Sequence, residues 1–229
     1  MPRIGLQARY ADRVEAGREL AAGLREYAGR DDVVVLALPR GGIPVAFEVA
    51  RELGAPLDVI LVRKLGLPEQ PELAMGAIAS GGVRILNEDV VRATAVSRET
   101  IEEVAAREGE ELARRERLYR GERPPPAIEG KVAILVDDGL ATGSTMLAAI
   151  GALRRQRPAR IVVAAPIAPP ETCEELRREA DDVVCVRTPE PFLAIGAWYE
   201  RFPQVSDDEI RNLLARADGQ RPAAPRTPS

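Results

Sequence analysis

The chain has 229 residues, 45% of them apolar and 30% charged, with a net charge of −4, which suits one α/β domain with a full core. The acidic balance argues against a non-specific nucleic-acid binder, which needs a basic excess. No apolar run reaches the length of a membrane span and the N-terminus lacks a signal peptide's apolar core, so a cytoplasmic chain is expected. Histidine is absent, which excludes His-dependent triads and His metal sites and leaves carboxylates, backbone amides and cations to do any chemistry. The two cysteines, Cys173 and Cys185, are too few for a disulfide framework and are expected reduced. Lysine occurs only at Lys64 and Lys131.

Val14, Gly17, Leu20, Ala21, Leu24 and Tyr27 recur at helical spacing behind Asp12, which predicts an amphipathic first helix. Residues 33–38 form an unbroken apolar run, read as a strand buried on both faces. It ends at Pro39-Arg40-Gly41-Gly42-Ile43-Pro44, and residues 45–53 read as a helix. Two glycines free the backbone to face an anion, and Arg40 can clamp a phosphate with a planar fork. A third strand is expected at 57–62. Arg63 and Lys64 follow it, and Gly66, Pro68 and Pro71 describe a mobile basic connection. Residues 74–79 and 83–86, joined by Gly81-Gly82, read as a hairpin.

Ser97 caps a long charged helix to about residue 119, whose inner stripe is Ile101, Val104, Ala105, Leu112 and Leu118. Its Arg and Glu residues make a solvated face with ion pairs. Pro124-Pro125-Pro126 ends it. The central stretch then reads KVAILVDDGLATGSTMLAA from Lys131 to Ala149. A second buried-strand run, 132–136, delivers Asp137 and Asp138 into the small-residue loop 139–145, from which a helix leaves. Ligands bind at the carboxyl ends of strands in open α/β sheets. Glycines, hydroxyls and free helix N-terminal amides at that place make a phosphate cradle. Two carboxylates beside it would repel an anion unless they hold a divalent cation or accept hydrogen bonds from hydroxyls.

A strand at 161–165, a helix at 171–180 and a strand at 183–186 complete an alternation that predicts a parallel sheet covered on both faces. Phe192, Trp198, Tyr199 and Phe202 gather four of the chain's eight aromatic residues in one stretch. They either build a slot for a planar base or pack the C-terminal segment onto the sheet. Ser206-Asp-Asp-Glu209 is a capping box for a last helix to about residue 216. From Asp218 onward the composition reads as a disordered tail.

The apolar run, the acidic doublet Asp137-Asp138 and Ala141-Thr142-Gly143-Ser144-Thr145 together resemble the phosphoribosyl pyrophosphate motif of the type I phosphoribosyltransferases. No GxxxxGK[ST] or GxGxxG loop competes with that reading. The resemblance implies an α/β fold with a mainly parallel sheet flanked by helices on both faces, a small hood and a flexible hairpin loop. It implies one domain over residues 1–217, with the core at about 28–187 and the hood from the N-terminal segment and 188–217, followed by the tail 218–229. The donor's 5′-phosphate would lie on Gly139, Ala141, Thr142, Gly143, Ser144 and Thr145. Asp137 and Asp138 would take the ribose hydroxyls, directly or through Mg2+. Arg40, Gly41 and Gly42 would form the pyrophosphate loop, with a cis Pro39–Arg40 peptide, and Lys64 or Arg63 would meet the departing pyrophosphate. The implied reaction is Mg2+-dependent transfer of phosphoribosyl to a nitrogenous base. Ala141 stands where 6-oxopurine enzymes of the family carry a carboxylate, which leaves the acceptor open. A homodimer is expected by analogy. Two other readings stay in view: a donor or nucleotide sensor without transfer activity, and a Mg2+-dependent phosphatase with Asp137 as nucleophile, against which the missing DxD spacing counts.

Overall fold

The computed structural model describes residues 9–219. In chain order it contains α1 (Arg13–Ala22), β1 (Val33–Ala37), α2 (Gly42–Leu53), β2 (Leu57–Val59), β3 (Val62–Leu67), β4 (Gln70–Ala79), β5 (Val83–Leu86), α3 (Glu88–Thr94), α4 (Arg98–Arg120), β6 (Val132–Val136), α5 (Ser144–Arg154), β7 (Arg160–Ile167), α6 (Pro170–Glu179), β8 (Asp182–Arg187) and α7 (Asp207–Gly219). Five strands make the parallel sheet, in the order β2-β1-β6-β7-β8. Their apolar runs are unbroken because both faces are covered. Val33, Val35, Ala37, Val132, Ile134 and Val136 join a core that includes residues of α2, α4 and α7. Val34, Leu36, Ala133 and Leu135 point the other way, into a core shared with α5 and α6.

Strand order decides where a ligand can lie. From β1 the chain moves outward to β2, and from β6 it moves outward the other way to β7 and β8, so the direction of winding reverses between the adjacent strands β1 and β6. The loops after these two strands lie at the sheet's carboxyl edge, the place where the crevice of an open α/β sheet takes its ligand.

Two expectations need correction. The run 57–62 is not one strand: β2 ends at Val59, and after Ile60 and Leu61 the chain enters a second sheet, antiparallel, in the order β3-β4-β5. Nor is 63–72 an irregular connection, because most of it is β3 and the start of β4. Register shifts on both sides of Gly66 absorb the awkward residues. A Cβ on Gly66 would sit 2.4 Å from the Pro71 carbonyl oxygen, so only glycine lets the strands close there. Pro71 is tolerated because β5 pairs with β4 only from Gly76 to Ala79, leaving the proline on an overhang. The β4–β5 hairpin forms as expected. Helix α3, capped by Asn87, was not anticipated; none of its residues is buried, so it has no apolar stripe to read.

The other helices follow their signals. Asp12 caps α1 by accepting from the Val14 and Glu15 amides, Ser97 caps α4 through the Thr100 amide, and the Ser206 hydroxyl accepts from the Glu209 amide at the start of α7. Helix α7 runs on to Gly219, and the rest of the expected tail, 220–229, lies outside the described residues. Residues 10–12 lie beside 198–201, with Tyr10 N donating to Trp198 O (2.9 Å) and Glu200 N to Tyr10 O (2.8 Å). These two segments cover the sheet's carboxyl edge near β6 and β7. Among the described residues no helix is long and apolar enough to cross a membrane.

Candidate functional site

The two loops at the winding reversal touch. Gly41 and Gly42 are needed for close approach and not for an unusual φ, since Gly41 has φ −63°. A Cβ on Gly41 would lie 1.9 Å from Asp138 Oδ2, and one on Gly42 would lie 2.7 Å from the Val136 carbonyl oxygen. The Pro39–Arg40 peptide is cis, as the resemblance implied. Gly42 N is used inside the turn, donating to Leu38 O (3.1 Å), whereas among the described residues no acceptor faces Gly41 N. Replacing Gly41 by Ala forces the loop off Asp138.

Asp137 and Asp138 are adjacent in sequence but not equivalent. Asp138 is buried, at 7% exposure, and its Oδ2 accepts from Arg13 Nε at 2.8 Å. Its backbone carbonyl accepts from the Tyr199 hydroxyl at 2.5 Å. Asp137 keeps partial contact with solvent, its Oδ1 accepts from Asp138 N (2.8 Å), and it has no ion-pair partner among the described residues. Burial, followed by the charge of Asp138, pushes the Asp137 carboxyl well above the ordinary carboxylate range. Asp138 is also raised, by burial, with Arg13 opposing the shift. An unpaired carboxylate under that pressure is relieved by a cation or by hydroxyl donors.

Beyond the doublet, Gly143 takes the left-handed conformation (φ 69°) at the N-cap of α5, where a side chain would be strained. Ala141, Thr142, Ser144 and Thr145 are exposed along the same bend. The Thr142 and Ser144 hydroxyls are 3.0 Å apart, and the bend is braced from behind by Thr172 of α6, whose Oγ1 donates to Ala141 O at 2.6 Å. The helix starts carry a further signal. Helices α1, α3, α4, α6 and α7 each have an acid in the first turn, which complements the positive end of the helix dipole. Helices α2 and α5, the two that begin at this crevice, have none. A helix start without an acid keeps its positive end uncompensated, the condition under which anions bind there.

The cations expected around the crevice are only partly gathered. Arg40 leans toward the C-terminal segment, 3.4 Å from Asp207 Oδ1 and 3.5 Å from Val205 O, long contacts on a half-exposed side chain that cost little to break. Arg63 is held by Glu108 of α4 at 2.5 Å. Lys64 is exposed on β3, without an ion pair among the described residues, and lines a groove of about 440 Å³ between the hairpin and α4. A cavity of about 50 Å³ lined by Pro39, Arg63 and Thr145, among others, links the hairpin's base to both loops.

The aromatic segment resolves toward packing for two of its rings. Phe202 meets the Arg13 guanidinium, 3.8 Å from its centroid, and the Tyr199 ring at 4.8 Å, and Tyr199 in turn meets Tyr10 at 5.5 Å. Phe202 is thus engaged in packing, though 37% of it stays exposed. Phe192 instead lines an open groove of about 500 Å³ with Pro169, Glu171, Pro189, Glu190 and Pro191, next to the braced Ala141 bend.

Arg13 and Thr172 are site residues that the sequence reading passed over. Arg13 had a signal: it stands four residues before Gly17 and seven before Leu20, on the buried stripe of α1, where an unpaired charge is not tolerated. Thr172 had none, and Tyr199 was singled out only as one of the aromatic cluster, not as a partner of Asp138.

A family model described as the phosphoribosyl transferase domain matches residues 8–195. Proteins of two Mycobacterium tuberculosis strains, each named "Putative phosphoribosyl transferase", are 48% identical over 208 residues, covering 91% of this chain and 47% of theirs. The chain thus spans about half the length of those relatives. The crystal structure of TT1426 from Thermus thermophilus is 43% identical, with a TM-score of 0.82 over 91% of this chain and 99% of that one. With the crevice, its two acid-free helix starts and the matched span in agreement, the chain belongs to the phosphoribosyl transferase domain family.

Proposed function

We propose that this chain transfers a phosphoribosyl group from phosphoribosyl pyrophosphate to a nitrogenous base, with Mg2+, releasing pyrophosphate. The observation that carries the reading is the pair of acid-free helix N-termini, α2 and α5, meeting at the winding reversal with an unpaired carboxylate between them. One donor has matching parts: a 5′-phosphate, a diol and a pyrophosphate.

In this reading the 5′-phosphate takes the amides and hydroxyls of Thr142, Ser144 and Thr145, with Ala141 and Gly143 shaping the bend; Gly139 is buried and makes room for Ile195, a Cβ there lying 2.6 Å from that side chain. Asp137 accepts from the ribose hydroxyls. The pyrophosphate lies against Gly41 N, with Gly42 shaping the turn, and Arg40 turns from Asp207 to meet it. Lys64 reaches the same charge when the hairpin folds over. As the bond from C1′ to the pyrophosphate oxygen breaks, positive charge grows on the ribose and negative charge on the leaving group. Placed donors and cations stabilise that separation best where water is excluded. The residues present fit Mg2+ as a shared ion: Asp137 would be one ligand and the donor's oxygens most of the others, as is usual for this cation. When bound, it neutralises part of the pyrophosphate charge. The acceptor would approach through the groove lined by Phe192, Glu171 and Glu190. Ala141 offers no carboxylate to a 6-oxopurine, so adenine-like and pyrimidine bases are the first to test.

Incubating the protein with Mg2+ and donor against a panel of purine and pyrimidine bases, and following pyrophosphate, tests the reading. Base-dependent release is the expected outcome. Tight donor binding with no release from any base would support a sensor instead.

A further inference from the structure

Asp138 is contacted from three directions, and each contact comes from a part of the chain outside the central motif. Arg13, at the first turn of α1, donates to its Oδ2 across 125 residues of sequence. The same guanidinium donates through Nη1 to Pro203 O at 2.7 Å and rests on the Phe202 ring. Tyr199 holds the Asp138 carbonyl, and Gly41 of the opposite loop packs against the carboxylate itself. Arg13 is 8% exposed, so this pair is sealed from solvent and is not free to reorganise around a ligand. Asp137, one residue away, differs: it is partly open, its carboxyl lies beside that of Asp138, and it forms no ion pair among the described residues.

We infer that Arg13 is a positioning residue of the donor site: it neutralises Asp138 and ties it to the hood, so that Asp137 is the one acid of the doublet that faces the donor. This rests on the donor reading above and deepens it. Two free carboxylates side by side would repel each other and the incoming phosphates. A guanidinium that occupies one of them removes half of that charge without closing the crevice, and its fork fixes Asp138 against Gly41, which sets the separation of the two loops. Removing the arginine alone leaves a buried carboxylate uncompensated, the costly case for an ion pair; removing both partners is far milder.

The test is a cycle of Arg13→Met, Asp138→Asn and the double variant, in which binding of phosphoribosyl pyrophosphate is titrated at several Mg2+ concentrations and thermal melting is followed in parallel. Arg13→Met is expected to weaken donor binding by about tenfold or more. It should also lower the Mg2+ concentration at half-maximal binding, because a second uncompensated carboxylate now attracts the ion. The double variant should return both quantities to within about threefold of the parent, and Arg13→Lys, which keeps the charge, should return the Mg2+ midpoint. A purely structural arginine would lower the melting temperature and leave that midpoint unmoved, which would overturn the inference. So would a double variant that binds no better than Arg13→Met. Absence of donor binding by the parent would overturn the donor reading and the inference with it.

Discussion

Asp137→Asn is expected to lose donor binding while keeping, or raising, thermal stability. Its carboxylate forms no ion pair among the described residues, and its charge is disfavoured in the empty protein by burial and by Asp138. An amide of the same shape relieves that repulsion, so melting should not move downward. In the proposed function the same change would remove an ionised acceptor from the diol and a ligand from Mg2+. A hydrogen bond to a charged group contributes about 1.5–3 kcal/mol, so an affinity loss of roughly 10- to 150-fold follows, and turnover should fall by at least as much. Calorimetric titration with phosphoribosyl pyrophosphate, beside a melt, separates the two effects. Unchanged affinity would remove Asp137 from the site; a large drop in melting temperature would make it a structural residue. Stability and function pulling in opposite directions is the signature of a group kept for its ligand.

The second large effect concerns folding and lies away from the crevice. Arg120, near the end of α4, donates through Nε to Asp58 Oδ2 at 3.0 Å and through Nη2 to Val59 O at 3.2 Å, anchoring the long helix to β2. Both side chains are less than a tenth exposed. Arg120→Met keeps the apolar stem and removes the charge, leaving Asp58 buried and unpaired, so a loss of about 3–5 kcal/mol is expected. Burial already raises Asp58 above its ordinary value, with Arg120 opposing the shift, and the variant raises it further. A raised acid binds its proton more tightly folded than unfolded. Its penalty is therefore full above the folded pKa and fades as pH falls toward the ordinary value of 3.8. Urea melts at neutral and mildly acidic pH should show the largest deficit at neutral pH. A deficit below about 1 kcal/mol would mean that water reaches Asp58 when the arginine is gone.

Much of the crevice was legible because its parts are local. Residues 132–136 are apolar since the strand is covered on both faces, and the small residues that follow can serve only a tight bend at a helix start, so strand, doublet and cradle could be placed from order alone. Gly41 and Gly42 carried the same kind of signal. The inequality of Asp137 and Asp138 was not legible. It depends on an arginine 125 residues away and on a tyrosine that arrives from beyond β8, and nothing local in the doublet distinguishes its members. The β3–β4 pair was misread for a different reason. Gly66, Pro68 and Pro71 each weaken a strand on their own terms, but here a bulge and an overhang accommodate them. The aromatic segment divided as tertiary contact decided: Phe202 packs against Arg13 and Tyr199, while Phe192 lines an open groove.

The most direct test of the crevice as a two-anion donor site is competition by the donor's own halves. Ribose 5-phosphate and pyrophosphate with Mg2+, titrated separately and together against bound phosphoribosyl pyrophosphate, should each displace it, and the presence of one should not exclude the other. Displacement by neither fragment, or exclusion of one by the other from a single shared position, would contradict the assignment of separate anion seats to the starts of α2 and α5.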